Sequence, residues 1–200
     1  MLKIDHRKTL KHLYHPSSKT PSIIDVPVMN FLKVDGRGKP DGLQFQQAAQ
    51  LLYPLAYTLK WMIRQGNNID FHVMPMEVLW KVNREKKEFA FTMMLMQPEY
   101  VTVELVAEAR VQVQSKVDAS QLAKVRFESL VEGTCVQYLH VGAYEGMDTS
   151  GKIMETFAEE NGYTIPVHSS HDIYLNDIRK TRPENLQSVM RYQVEKKLYH

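Results

Sequence analysis

The chain holds a single cysteine, Cys135, among 200 residues. No internal disulfide is available, so the fold must be held by burial of apolar surface, and a lone thiol at the start of an apolar strand pattern fits a reducing compartment. The chain has no Gly-x-Ser-x-Gly nucleophile elbow, and Cys135 reads as a buried, inert thiol. Long hydrophobic runs are missing as well: the most apolar window, LLYPLAYTLKWMI, is cut by Pro54 and Lys60, and MLKIDHRK lacks the apolar core of a signal peptide. The expected location is cytoplasmic, with no membrane partner. Neither charge sign prevails. Lys plus Arg is 25 against 23 for Asp plus Glu, a net charge of +2, which supplies no broad pull toward phosphate backbones, so nucleic acid is not an expected partner. The glycines of DGRGKPDG lack the spacing of a nucleotide-binding loop and read as turns, leaving no cofactor motif. His168 and His171 beside Asp172 in VHSSHD come nearest to a metal motif, but on a strand they face opposite sides and no third ligand follows; no metal is expected.

What is present is an ordinary globular composition, 44% hydrophobic, enough for a substantial core. From Phe45 to Gly66 apolar residues recur at spacings of three and four, predicting one long helix stopped by Gly66, with Pro54 able to bend it. A second helix is predicted after the N-cap Thr102, with Val103, Val106, Ala107, Val111 and Val113 as its apolar positions, and a third over TSGKIMETFAEENG, stopped by Gly162. Strand patterns fill the intervals: VPVMNFLKV, DFHVMPMEVLWKV, EFAFTMMLMQ, KVRFESL, TCVQYLHVG, SSHDIYLND and NLQSVMRYQV. The opening KIDHRKTLKHLYHPSSKTP, basic and broken by Pro and Ser, reads as a loosely held arm over residues 1–20.

The order of segments repeats. FLKVDGRG, a helix, MPMEVLWKV and FAFTMMLMQ are followed by YLHVGAYEG, a helix, SSHDIYLND and SVMRYQVEK, so residues 21–200 read as two repeats, about 21–98 and 124–200, joined by a helix. The overlay sets Glu77 on Asp172, Leu79 on Tyr174 and Lys33 on His140.

Strand alternation puts Glu77, Leu79 and Lys81 on one face and Met76, Val78 and Trp80 on the other. Two readings of Glu77 stay open. It faces solvent, as alternate residues of a half-covered sheet do, or it shares a cleft with Asp172, where a desolvated carboxylate pair binds cations or works as acid and base. The aromatic residues, among them Tyr53, Tyr57, Trp61, Trp80, Phe91, Tyr144 and Tyr174, are core or line a pocket that stacks on planar or cationic ligands. Tyr53, Tyr57 and Trp61, four apart, form a helical stripe able to roof such a ligand.

Taken together, LYPLAYTLKWMI, DFHVMPMEVLW, TMMLMQPEYVT, VQYLHVGAYEG and HDIYLNDIRKTRPENLQSVMRYQVE resemble the GyrI-like small-molecule-binding proteins, in the subgroup without a DNA-binding domain. The family pattern Pro-Leu-Glu-Gly-Leu-Trp-Trp is met by Pro75, Glu77, Leu79 and Trp80, with departures at Met76, Val78 and Lys81. The pattern His-Glu-Ile-Tyr-Leu-Ser-Asp-Pro-Arg is met from His171 to Arg179, with the pocket glutamate replaced by Asp172. The resemblance implies an α+β fold: a tandem repeat of two small α/β units, an antiparallel sheet with helices on one side, and a ligand cleft at the pseudo-twofold.

It also implies a binder of planar aromatic or cationic xenobiotics, a drug-binding or detoxifying protein that in similar stand-alone members hydrolyses the cyclopropane of DNA-alkylating cyclopropanoids. On that reading Asp172, Glu77 and Tyr174 are the catalytic candidates. Trp80, Tyr53, Tyr57, Trp61, Phe91, His140 and Tyr144 are the ligand-binding ones, with Trp80, Tyr53, Tyr57 and Phe91 forming an aromatic cage. The alternatives are a binding or sensor protein without chemistry and a protein-interaction module. The expected partner is a small molecule, and a homodimer is compatible with the sequence.

Overall fold

The computed structural model describes the chain apart from residue 41, residues 84–87, residue 116, residues 167–168 and residues 198–200, and apart from the side chains of Val82 and Asn83. In chain order the elements are β1 (Leu2–Ile4), α1 (His6–Thr9), α2 (Lys11–Tyr14), β2 (Ser22–Val26), β3 (Met29–Arg37), α3 (Leu43–Asn67), β4 (Ile69–Phe71), β5 (Met76–Asn83) and β6 (Glu88–Gln97). They continue with α4 (Val103–Val113), α5 (Ala119–Leu122), β7 (Arg126–Leu130), β8 (Gly133–Val141), α6 (Met147–Glu160), β9 (Tyr163–Thr164), β10 (Ser169–Tyr174), β11 (Gln187–Gln193) and β12 (Glu195–Lys196).

Eight strands make one antiparallel sheet in the order β2-β8-β11-β10-β5-β6-β3-β7. Within this sheet the run strand, helix, strand, strand occurs twice, as β3-α3-β5-β6 and as β8-α6-β10-β11, with the short β4 and β9 set outside it, and β5 of one run meets β10 of the other at the centre of the sheet. This is the α+β arrangement of an antiparallel sheet carrying its long helices on one side. Among the described residues no helix is long and apolar enough to cross a membrane.

Helix α3 forms because its apolar residues recur on one stripe: Leu52, Leu55, Leu59 and Ile63 are fully buried against Leu32, Val78 and Met93 of the sheet. Each such side chain contributes about 1.5–3 kcal/mol on burial. The helix runs through Pro54 and past Gly66, the expected stop; Asn68, at φ 57°, ends it in the left-handed region that asparagine tolerates. Helix α4 has the expected Thr102 cap, whose hydroxyl oxygen accepts from the Leu105 N–H at 3.3 Å. Its buried stripe is Val106, Ala109 and Val113, while Val103 and Val111 are 65% and 66% exposed. Val111 lies two residues from Val113, about 200° around the helix, and so points away.

Opposite α3 and α6, the other face of the sheet is covered by the N-terminal segment. The loosely held arm of the sequence reading is therefore docked: Leu13 and Tyr14 are fully buried against Phe31, Met94, Ile173 and Val189. β1 pairs parallel with β4. The Gln137 amide donates to the His12 carbonyl at 2.6 Å, and the Tyr138 hydroxyl donates to the Ser18 carbonyl at 2.7 Å.

Candidate functional site

The register of β5 on β10 decides which side chains meet. Val78 is opposite Asp172 and Glu77 opposite Ile173, and directly opposed residues point to the same face. Asp172 therefore lies on the helix face with Val78, Trp80 and Tyr174, and Glu77 lies on the arm face with Ile173 and His171. The expected shared cleft of Glu77 and Asp172 does not form. The register sets Asp172 against Val78, Tyr174 against Met76 and Ser170 against Trp80, so the overlay of Glu77 on Asp172 joins residues of opposite faces. Lys33 and His140 are likewise on opposite faces: Lys33 is level with Met94 on the arm face, and His140 is opposite Ser188 on the helix face.

On the helix face, Trp80 and Tyr174 flank the Val78–Asp172 pair from opposite ends. The Trp80 Nε1–H donates to the Tyr174 hydroxyl oxygen at 3.1 Å, so the bond arches diagonally across Asp172. Tyr144, from the turn Tyr144–Gly146 before α6, meets Tyr174 edge to face with ring centroids 5.6 Å apart. Both tyrosines are half-buried, whereas Asp172 is buried beneath them. Its Oδ2 accepts from Ser170 Oγ at 3.3 Å, and its Oδ1 has no protein partner. Burial pushes the Asp172 carboxyl up to about 7, against the opposing pull of the His171 charge and the Ser170 hydroxyl. Burial raises both phenols as well, and the Asp172 charge adds to the effect.

The remaining expected ligand residues divide. Tyr53, half-buried on α3, is within electrostatic reach of Asp177 and Arg179 just beyond β10, and its ring stacks on Tyr57 at 6.4 Å. Tyr57 and Trp61 continue that stripe outward and are 57% and 56% exposed. Phe91 does not line the site. It packs with Trp80 and Phe45 in a core cluster, Phe45 stacking on Trp80 at 5.7 Å and an interplanar angle of 4°. His140 has both ring nitrogens engaged, Nδ1 with Ser150 Oγ at 2.8 Å and Nε2 donating to the Ala143 carbonyl at 2.9 Å. It props the turn that carries Tyr144 and has no nitrogen left for a ligand. His168 lies outside the described residues. Two surface hollows of about 540 and 470 Å³ lie elsewhere, beside Tyr163 and Lys196 and beside Gln50 and Gln121.

On the arm face a second polar cluster is buried. Glu77 Oε1 accepts from the Tyr14 hydroxyl at 2.7 Å and Glu77 Oε2 lies 2.9 Å from His171 Nε2. Glu132 Oε1 lies 2.8 Å from His171 Nδ1, and Glu132 Oε2 accepts from Arg191 at 3.0 Å. Arg191 also donates to the Leu13 carbonyl at 3.1 Å. Burial disfavours charge on His171, yet Glu132 and Glu77 outweigh it and raise the imidazole to about 9. Burial likewise opposes charge on Glu132, and His171 and Arg191 bring its carboxyl down to about 2. Among the described residues no group of three or more His, Cys, Asp or Glu could hold a metal ion; the two glutamates take different nitrogens of one ring.

Residues 19–194 match the GyrI-like small molecule binding domain. The chain belongs to the GyrI-like family. Two solved structures from Listeria innocua, one described as an uncharacterized conserved protein and one as a hydrolase, are each 36% identical to it; each comparison covers 96% of this chain and 100% of the other, with TM-scores of 0.87 and 0.86. The C-terminal domain of EcmrR shares the fold at 14% identity and a TM-score of 0.53, over 88% of this chain and 98% of its own. No curated protein matches the chain. In this GyrI-like chain the sequence reading missed Tyr14, Glu132 and Arg191. Arg191 carries the same signal as Glu77, a charge inside the apolar strand VMRYQV, and LKHLYH places Leu10, Leu13 and Tyr14 at helical spacing.

Proposed function

We propose that the helix-face site of this small-molecule-binding domain takes planar or lipophilic cations, with Asp172 as counter-charge and Tyr144, Tyr174 and Tyr53 as the rings that stack on them. The observation that carries the reading is the unpartnered Oδ1 of Asp172, buried under two half-buried tyrosines. A buried carboxylate oxygen without a donor is costly and is relieved by an incoming positive charge, and aromatic faces hold the same charge by cation–π attraction. Tyr57 and Trp61 extend the stacking surface along α3 for a longer ligand.

The test compares N-methylquinolinium with its neutral isostere 1-methylnaphthalene by calorimetry. The wild type binds the cation more tightly, and Asp172→Asn removes the preference. Equal binding of the two by the wild type would discard the counter-charge role, and binding of neither would discard the site.

A second reading adds chemistry to the same site. An Asp172 carboxyl that titrates near 7 is protonated and ionised in comparable amounts at neutral pH, which suits acid–base work, and one relative at 36% identity is described as a hydrolase. On a cyclopropane conjugated to a carbonyl, Asp172 takes a proton from water as the water oxygen bonds to the ring carbon. The strained C–C bond breaks, its electron pair passes to the carbonyl oxygen, and solvent delivers a proton to that oxygen while Asp172 returns its own to solvent, so one water is added in all. Mass spectrometry of a cyclopropane-bearing alkylator incubated with the protein would reveal a product heavier by one water; a rate no faster than buffer eliminates this reading and leaves binding.

A further inference from the structure

The cluster on the arm face lies across the sheet from the proposed ligand site, yet it ends one residue from Asp172. His171 and Asp172 are successive residues of β10, so they project to opposite faces of the same strand. We propose that His171, fixed as an imidazolium between Glu77 and Glu132, is the positioning residue that lets Asp172 carry its negative charge on the ligand face, and that Tyr14 and Arg191 hold the two glutamates for it. The proposal rests on the reading of Asp172 as a counter-charge.

The geometry argues for a fixed cation. A neutral imidazole has one N–H and one lone pair, whereas an imidazolium has two donors. His171 has a carboxylate oxygen at 2.9 Å from Nε2 and another at 2.8 Å from Nδ1. A neutral ring would aim its lone pair at one of them. The outer oxygens of the same carboxylates are occupied, by the Tyr14 hydroxyl on Glu77 and by Arg191 on Glu132. All five side chains are buried, so water does not substitute for any of these bonds, and the ring has no second orientation that satisfies both nitrogens.

The ligand face offers Asp172 little help. Val78 on β5 and Met190 on β11 are opposite it and do not ionise. Ser170 gives one hydroxyl at 3.3 Å, and the nearby phenols of Tyr144 and Tyr174 acquire only negative charge. Arg179 is paired to Asp177 at 2.8 Å and lies beyond the strand end. Among the described residues His171 is thus the cation that favours Asp172 ionisation. Its charge acts across the strand and lowers the Asp172 carboxyl against the upward push of burial.

The experiment reads ligand-free, full-length protein by NMR, with 15N-histidine and 13C-carboxyl aspartate labels. In the wild type His171 is doubly protonated at pH 7. In His171→Gln the Asp172 midpoint moves up by about one pH unit, and in His171→Lys, which keeps a cation, it returns toward the wild-type value. An unmoved midpoint in a folded His171→Gln protein overturns the proposal. If that variant does not fold, Asp172→Asn decides, because the coupling is reciprocal: a His171 midpoint that falls in it upholds the proposal, and an unmoved one, or a neutral His171 ring at pH 7 in the wild type, overturns it.

With the midpoint one unit higher, His171→Gln loses about fivefold in N-methylquinolinium affinity at pH 7 and matches the wild type at pH 9, where both carboxyls are ionised. Because the midpoints are measured without ligand, failure of the probe to bind counts against the proposed function, and a static midpoint counts against this inference.

Discussion

Trp80 and Tyr174 reach toward each other from opposite ends of the central strand pair, and the 3.1 Å bond between the indole nitrogen and the phenol oxygen spans the Asp172 position. Tyr174→Phe removes the acceptor and leaves the buried indole N–H unpaired, which costs about 1–3 kcal/mol. Urea unfolding of Tyr174→Phe, Trp80→Phe and the double variant measures the bond directly. The double variant loses less than the sum of the singles, because either substitution alone already breaks the interaction.

Asp172 contributes a pH dependence to stability. A carboxyl raised from 3.8 to about 7 binds a proton in the folded chain that the unfolded chain has released, so stability falls as pH rises from about 4 to 7. The glutamate and histidine of the arm face act in other windows. The contribution of Glu132 is present above 4.5 and lost as pH falls through about 2; that of His171 is complete below 6.5 and lost as pH rises through about 9. Asp172→Asn is therefore more stable than the wild type at pH 8, by on the order of 2–4 kcal/mol, and equal to it near pH 4. Thermal unfolding at pH 4, 6 and 8 checks the sign; an advantage that shrinks with rising pH contradicts it.

Phe91 has a structural task that a substitution can isolate. It is opposite Gly36 in the β3–β6 ladder, and a Cβ on Gly36 would lie 2.2 Å from the ring. The ring covers the glycine and completes the Phe45–Trp80–Phe91 cluster. Gly36→Ala pushes the ring into its neighbours and costs about 1–3 kcal/mol. The double variant Gly36→Ala with Phe91→Leu, which vacates the ring position, loses less than the two singles combined, as chemical denaturation would record.

The order of helices and strands was legible because the periods of 3.6 and 2 are written by burial, which acts residue by residue. Thr102 as a cap and the stripe of α3 belong to the same local class. Faces were legible only within a strand: alternation separates Glu77 from Trp80, but which residue of β10 stands opposite Glu77 depends on the register between strands 95 residues apart in sequence, and that register places Asp172 on the far face. The aromatic list had the same limit. Trp80 and Phe91 carry the composition of a cage, and Phe45 from α3 closes them into core. Tyr144 and Tyr174 meet as a pair across 30 residues. The arm was misjudged because its partners, Arg191, Gln137 and Glu77, are all far along the chain, and local composition alone makes basic residues with Pro and Ser look unattached.

The arm offers the sharpest contrast within one segment. Leu13 is fully buried beside Phe31 and Val189, and its carbonyl accepts from Arg191; Leu2, eleven residues earlier, is 60% exposed. Leu13→Ala loses the side chain's burial and leaves a cavity between the arm and the sheet, costing about 2–5 kcal/mol, while Leu2→Ala stays within about 0.5 kcal/mol. Denaturant midpoints of the two variants separate a docked arm from a loose one. A loose arm predicts no difference, since an unattached leucine has no packing to lose. A docked arm predicts that Leu13→Ala unfolds the whole sheet at lower denaturant in one transition, because the face it covers also holds Glu77, His171 and Arg191 out of water.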